Sequence, residues 1–258
     1  MTTGLEDTIE TVPIRADVPV SMHPSSLIPF GKVLNQEGTI GVQALAAARE
    51  ALTTAYTAFS QVEDAVKSLP LGDETRMIGG RPTKVSAGAI EELVQAVGKS
   101  EERVIGAVQR RYDELRRHRE ALNTRVANAL DVPSRKTPEG LAVAGAIWAH
   151  VKSLPSEKRM AFLTKAVEDG DKTTVAAVLH APAYLSGMTD KQMATLRHRA
   201  AHVFAPTDAA QLEAVEAMMD RVAAAGSRVV ERYGRVREMA SPSAAHSKQK
   251  IKALAEGK

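Results

Sequence analysis

The sequence predicts an all-α protein with a long helical hairpin or coiled-coil stalk, a small helical bundle and an extended N-terminal arm. Apolar residues recur at helical steps of three, four and seven over most of the 258 residues. Prolines are absent from residues 30–69, 83–132 and 207–241, which leaves room for long helices. Only 3% of residues are aromatic, so Ala, Val and Leu supply apolar surface suited to slim helix–helix contacts.

Residues 1–40 are predicted to form an extended arm. Four prolines interrupt them: Pro13, Pro19, Pro24 and Pro29. Each proline fixes its own φ and biases its predecessor toward extended backbone. Ile14, Val20, Ile28 and Phe30 make the arm more apolar than a free linker. We therefore expect the arm to lie on another surface, either its own chain's or a neighbour's.

Residues 41–132 are predicted to form a long helical hairpin. The first helix, about 41–69, has one apolar stripe that Arg49 and Glu63 interrupt. The second, about 86–130, would be roughly 65 Å long at 1.5 Å per residue. A rod of that length exceeds a compact domain, so pairing with the first helix is the simplest arrangement.

The turn between these two helices carries a hairpin signal. Gly79 and Gly80 separate two short apolar runs within residues 76–85. A glycine pair between such runs is typical of a β-hairpin turn, although Pro82 weakens the second run as a paired strand. The sequence therefore predicts a short β-hairpin at 76–85.

Residues 138–239 are predicted to form a helical bundle that begins after a polar, basic linker at 133–138. Thr137 followed by Pro138 is a strong helix start, and Thr189 with Gln192 forms a capping-box pattern. The four shorter helices are expected at about 138–153, 156–168, 171–180 and 189–204. They contain the single Trp of the chain, Trp148, and form the expected compact core.

The last helix, about 207–239, has the clearest heptad of the chain. Its apolar positions are Leu212, Val215, Met219, Val222, Val229, Tyr233 and Val236, with Gly226 at one core position. Four turns of such spacing predict coiled-coil-like pairing, and glycine allows a close approach or weakens the helix locally. These side chains are the predicted seam, either between copies of the chain or within one chain.

Charge is unevenly distributed along the chain. Net charge is +3 overall, but residues 1–40 carry −3 and residues 221–258 carry +6. Residues 240–258 are predicted to form a basic, flexible tail in which Lys248, Lys250 and Lys252 could contact phosphates. With few aromatic residues nearby, nucleic-acid contact would be non-specific and would weaken steeply with salt.

Motifs that carry chemistry are absent from the sequence. Gly79–Gly80 lacks the spacing and the preceding strand of a phosphate-binding loop, and zero cysteines exclude thiolate metal sites. We therefore assign no catalytic residue, no cofactor and no metal, and expect that the protein is not an enzyme. The longest apolar stretch, residues 141–151, is shorter than the roughly 20 residues of a spanning helix. The acidic N-terminus predicts no secretion signal.

One histidine pair has the spacing of metal ligands. His198 and His202 lie four residues apart, so a helix places both rings on one face. A metal site needs a third protein ligand, and spacing implies none, with His180 and Asp190 as the available candidates. Arg197 and Arg199 flank the pair and would repel a cation, which favours surface or interface histidines over a metal site.

Residues 169–199, with the sequence DGDKTTVAAVLHAPAYLSGMTDKQMATLRHR, resemble a segment of uncharacterised helical proteins of tailed bacteriophages and their prophages. The resemblance covers about a tenth of the chain and carries no functional residue. It implies a virion or head-assembly setting, in the particle or in the bacterial host cytoplasm.

Together these features favour a non-enzymatic structural protein of a phage particle. We expect it to associate with itself and with other virion or assembly proteins, through its long helices and its N-terminal arm, and to bind no membrane. The alternative is a scaffolding or nucleic-acid-associated protein that acts through its basic C-terminal tail.

Overall fold

The computed structural model describes residues 12–34, 39–78 and 81–240. In these residues the protein is all-α apart from one two-stranded hairpin, which confirms the predicted class. The α-helices of the described chain follow in order: α1 Ile28–Leu34, α2 Thr39–Lys67, α3 Ala87–Leu130, α4 Pro138–Ser153, α5 Ser156–Glu168, α6 Lys172–Leu179, α7 Ala183–Ser186, α8 Asp190–Phe204 and α9 Pro206–Ala240. The same part of the chain contains three short 3₁₀ helices: Val20–Met22, Pro24–Leu27 and Pro133–Lys136.

Helix starts coincide with local capping chemistry. Thr137 Oγ1 accepts a hydrogen bond from Gly140 N at 3.1 Å, and Pro138 begins α4. Thr189 and Gln192 form the predicted capping box at the start of α8, with reciprocal hydrogen bonds of 3.2 and 2.9 Å. Each cap satisfies amide groups that the first helical turn leaves without partners, which fixes the start of the helix.

The N-terminal region is less extended than the sequence predicts. Residues 20–34 form two 3₁₀ helices and α1, so the prediction of an extended arm is wrong for this part. Pro24 and Pro29 each occupy the first turn of a helix, where a missing N–H costs nothing. Proline there starts a helix instead of preventing one.

A strand hairpin lies between α2 and α3. Strands β1 (Glu74–Ile78) and β2 (Arg81–Val85) pair antiparallel, with Glu74 opposite Val85 and Met77 opposite Pro82. The hairpin predicted at 76–85 is therefore present. Pro82 is compatible with pairing because a two-stranded sheet has only edge strands, where a missing donor is tolerated.

The described chain divides into two compact units. Of the described residues, unit 1 comprises 12–32, 42–78, 81–116 and 217–240, and unit 2 comprises 33–34, 39–41 and 117–216. The boundary falls inside α3 and again inside α9, and not at the 133–138 linker that the sequence favours. Residues 133–136 form a 3₁₀ helix within unit 2.

Unit 1 contains α2, the hairpin and the adjoining parts of α3 and α9. Leu45, Leu52, Tyr56 and Val66 of the predicted α2 stripe are buried, whereas Val42 is exposed. Buried alanines fill the positions between them: Ala44, Ala47, Ala48, Ala51, Ala55 and Ala58. This packing agrees with the low aromatic content, because small side chains allow helices to approach closely.

Unit 2 contains a cluster of buried side chains from the end of α3 to the start of α9. Leu163, Val178, Leu179 and Leu196 belong to this cluster, as the sequence predicts. The indole of Trp148 packs against it, and Trp148 Nε1 donates a hydrogen bond to the Ala177 carbonyl at 2.8 Å. The other members are Val126, Leu130, Val151, Ala166, Val167, Val175, Met188, Met193, Ala200, Ala201, Ala205 and Ala209.

A close backbone contact in unit 2 explains why residue 41 is glycine. A Cβ atom on Gly41 would lie 2.4 Å from the Leu34 carbonyl oxygen, so only glycine fits between these two residues. Among the described residues, no helix has both the length and the apolar character needed to cross a membrane.

Candidate functional site

The predicted seam of α9 is buried within the chain. Val215, Val222, Val229 and Val236 have no exposed surface, and Met219 and Tyr233 are also buried, whereas Leu212 is half-buried. In unit 1, Tyr233 Oη lies 3.2 Å from Ser100 Oγ of α3. In unit 1 the stripe therefore contributes to packing within the chain, which is the intramolecular alternative of the prediction. Self-association through these side chains stays a prediction.

The N-terminal segment, defined here as residues 12–32, is fixed to the rest of unit 1. Val18, Met22 and Leu27 are buried. Tyr56 Oη, on α2, accepts a hydrogen bond from Arg15 N at 2.7 Å and donates one to the Pro13 carbonyl at 3.1 Å. One buried phenol thus holds two main-chain groups of the segment.

An ion network attaches the same segment to the end of α2. The Arg15 guanidinium donates to Asp17 Oδ1 at 2.9 Å and to Asp64 Oδ2 at 2.6 Å, and Lys67 Nζ donates to Asp17 at 2.5 Å. Hydrogen bonds from Arg15, and then from Lys67, hold the pKa of Asp17 well below its ordinary value. The hydrogen bond from Arg15 likewise lowers the pKa of Asp64. These carboxylates therefore favour the attached segment when they are ionised.

His23 makes contacts both within the N-terminal segment and with α2. Its Nδ1 accepts a hydrogen bond from Ser25 N at 3.1 Å, so Nε2 carries the proton and donates to the Val12 carbonyl at 2.9 Å. The ring meets Tyr56 edge-on, with centroids 5.0 Å apart. The 2% exposure of His23 shows that this polar ring is an internal support.

Basic residues of α9 complete the attachment. Arg221 donates to the Ser26 carbonyl, and its guanidinium carbon lies 4.9 Å from the centroid of the Phe30 ring. Arg228 donates to Ser21 Oγ at 2.5 Å. Two arginines of the positively charged end of the chain thus hold neutral acceptors of the N-terminal segment.

The N-terminal segment also exposes three aliphatic side chains. Ile14, Val20 and Ile28 are 57–63% exposed, although the segment that carries them is held by the contacts described above. A segment that is fixed on one side and presents aliphatic side chains on the other is a candidate contact surface.

A groove of about 500 Å³ lies between α3 and α9 in unit 1. Its walls are mainly apolar and include Ile105, Val108, Tyr112 and Val230. A Cβ atom on Gly226, which also lines the groove, would lie 3.6 Å from Val108 Cγ1, an ordinary contact. Close helix approach therefore does not explain this glycine of the heptad.

The histidine pair has a third neighbour that the sequence did not indicate. Glu213 Oε1, on α9, lies 2.7 Å from His202 Nε2 and 3.5 Å from His198 Nδ1, both on α8. The two imidazole rings are 4.8 Å apart between centroids. His180, one suggested third ligand, instead lies 3.7 Å from Asp131. All three clustered side chains belong to unit 2.

The basic tail lies outside the described residues. Lys248, Lys250 and Lys252 belong to residues 241–258, which the structure does not describe. Their predicted phosphate contacts therefore stay a prediction.

Compared with known proteins, the chain matches no family model, no curated protein and no solved structure. The resemblance of residues 169–199 to phage proteins accordingly stays a prediction.

Proposed function

We propose that this chain is a non-enzymatic structural protein that assembles with further copies of itself through the outward face of its N-terminal segment. The observation that carries the proposal is the two-sided character of this segment. Its inner side is buried and hydrogen-bonded to α2 and α9, whereas Ile14, Val20 and Ile28 are exposed. Because the segment is already ordered, the binding of a neighbour causes little further loss of its conformational entropy.

The size of the exposed face decides what kind of assembly it supports. Full burial of one aliphatic side chain stabilises by about 1.5–3 kcal/mol, so burying the exposed parts of three contributes roughly 3–5 kcal/mol in total. Association itself costs about 4–15 kcal/mol. This face alone would therefore hold two chains weakly, and it suits a repeated assembly in which several weak contacts act together.

The charge distribution is compatible with a second copy as the neighbour. Residues 1–40 carry a net charge of −3 and residues 221–258 carry +6. Opposite charges at the two ends of the sequence allow attraction between the ends of neighbouring copies, and this attraction weakens as salt screens it.

The setting that we propose is a tailed-phage particle. Its support is the resemblance of residues 169–199 to helical phage proteins. We expect peptide mass spectrometry to detect this chain in phage particles purified from cells that encode it. Its absence from such particles would reject the setting while leaving the assembly role open.

The assembly role is tested with a triple variant, Ile14→Ser, Val20→Ser and Ile28→Ser. Its matched control replaces three exposed aliphatics of unit 2, Leu141→Ser, Val143→Ser and Val203→Ser. All six side chains are exposed, so both variants should fold, which circular dichroism checks.

Sedimentation equilibrium from micromolar to millimolar protein is the measurement. We expect the average mass of the wild-type chain and of the control to rise with concentration, and less so in high salt. The variant of the N-terminal segment should stay near the mass of one chain. A wild-type chain that remains monomeric throughout, or a segment variant that associates like the control, would reject the proposal.

A further inference from the structure

Three potential metal ligands converge where α8 meets α9. His198 and His202 lie one helical turn apart on α8, and Glu213 lies in the second turn of α9. Their nearest ligand atoms all lie within 4.8 Å of one another. Ala205 separates the two helices with a non-helical backbone of φ −145° and ψ 56°. This break turns the chain so that residues of consecutive helices meet.

Two of the three separations suit a small divalent ion, and the third, up to 4.8 Å, requires rotation of a side chain. Zn²⁺ binds imidazole nitrogen and carboxylate oxygen at about 2.0–2.2 Å, which places neighbouring ligand atoms of a tetrahedron roughly 3.3 Å apart. The distances from Glu213 Oε1 to the two imidazole nitrogens, 2.7 and 3.5 Å, bracket this value. The side chains of His198, His202 and Glu213 are 64%, 39% and 50% exposed, so they can rotate into place without repacking the core.

The local charge is compatible with a cation. His202 lies in the last turn of α8, where free carbonyl groups carry partial negative charge. Of the two flanking arginines that argue against a metal, Arg199 donates a hydrogen bond to Thr164 Oγ1 on α5 at 3.1 Å. Arg197 lies about 100° around the helix from His198, away from its face. Glu213 neutralises one charge of the ion.

The ligand types select the class of metal. Two imidazoles and one carboxylate favour zinc and other late divalent transition metals over Mg²⁺ and Ca²⁺, which prefer oxygen ligands throughout. The segment that contains the two histidines reads His198-Arg199-Ala200-Ala201-His202. In zinc hydrolases with the same histidine spacing on a helix, the residue after the first histidine is the glutamate that acts as general base, and here that position is arginine. A metal here would join two helices and would lack that base.

We propose that His198, His202 and Glu213 form a surface site for a divalent transition-metal ion, with Zn²⁺ as the best fit, that holds the start of α9 against the end of α8. The ion replaces the hydrogen bond between His202 and Glu213, and a water or a group from another molecule completes its coordination. This site is independent of the proposed assembly through the N-terminal segment.

Zinc titration of the full, tag-free chain by isothermal calorimetry tests the site. We expect saturable binding of one Zn²⁺ per chain, and a rise in the melting temperature that a chelator reverses. His198→Gln, His202→Gln and Glu213→Gln should each weaken binding by at least about 100-fold, since loss of outer-shell partners alone costs roughly 10–100-fold.

The control is His180→Gln, because His180 also faces a carboxylate, Asp131, but has no second histidine beside it among the described residues. This variant should bind Zn²⁺ like the wild type. The three site variants should keep their helical circular dichroism without metal, because exposed ion pairs contribute little to stability. Absence of saturable binding, or equal binding by the site variants and the wild type, would overturn the proposal.

Discussion

The ion pair between Glu63 and Arg232 should contribute more to unit 1 than any exposed ion pair of the same unit does. Glu63 interrupts the apolar stripe of α2, and in the structure its Oε1 lies 2.6 Å from Arg232 Nε of α9. The two side chains are only 17% and 13% exposed. Glu63→Gln keeps the shape of the side chain but leaves the guanidinium without its countercharge.

The magnitude follows from this burial. Removing one partner of a buried ion pair costs about 3–5 kcal/mol. The Arg232 Nε–H does not point at the carboxylate, and both groups keep some contact with solvent, so the cost should be lower, about 2 kcal/mol. That energy corresponds to a loss of roughly 30-fold in protection from local opening.

A matched control is available on α9 itself. Glu231 pairs with Arg235, and both side chains are more than 60% exposed. Glu231→Gln should therefore cost less than about 0.5 kcal/mol. A double variant, Glu63→Gln with Arg232→Met, should recover much of the lost stability, because replacing both members of a buried pair is often neutral.

Hydrogen exchange read by mass spectrometry on peptides of α2 and α9 is the suitable assay. The fluorescence of Trp148 would report unit 2, and a chain with two compact units need not unfold in one step. Equal loss of protection in Glu63→Gln and Glu231→Gln would show that the Glu63–Arg232 pair does not stabilise unit 1. A double variant that is less stable than each of its two single variants would show the same.

Two further predictions concern the attachment of the N-terminal segment. Tyr56→Phe removes the hydroxyl that binds Arg15 N and the Pro13 carbonyl, so it should lower the stability of the attached segment by about 1–3 kcal/mol. Amide hydrogen exchange in residues 13–17 should then be faster. Unchanged exchange would contradict the role of the hydroxyl in holding the segment. The pKa values of Asp17 and Asp64 are lowered in the folded chain, so their stabilisation is present above the ordinary carboxyl pKa of about 3.9 and is lost as pH falls through the folded values. Pepsin should therefore release the wild-type segment increasingly below about pH 4, whereas Asp17→Asn with Asp64→Asn should give a flatter pH dependence. An equally steep profile for both chains would contradict the assignment.

The N-terminal region shows where local patterns mislead. The four prolines predict an extended arm, but Pro24 and Pro29 lie in the first turns of helices. Proline excludes a helix only where a preceding turn would need its N–H, and the sequence does not reveal where each helix begins in this region. The apolar content correctly indicated that the segment lies on a surface, and only the structure identified that surface as α2 and α9.

The sequence indicated two of the three residues of the candidate metal site. His198 and His202 share a helix, so their spacing alone places them on one face. Glu213 belongs to the next helix, beyond the break at Ala205, and its distance from the histidines depends on the angle between the two helices. A search for carboxylates within about two helical turns beyond a predicted break would have suggested it.

Sequence alone determined the longer helices, α2 to α6, α8 and α9, with bounds within two residues, because capping, proline placement and apolar periodicity act over a few neighbouring residues. It missed the short helices α1 and α7. The tertiary structure decided which side chains from different helices meet, such as Glu63 with Arg232 and Glu213 with the histidines. It also placed the boundaries of the compact units inside α3 and α9. These features depend on contacts between residues far apart in the chain, and helical periodicity specifies the face of a helix but not its partner.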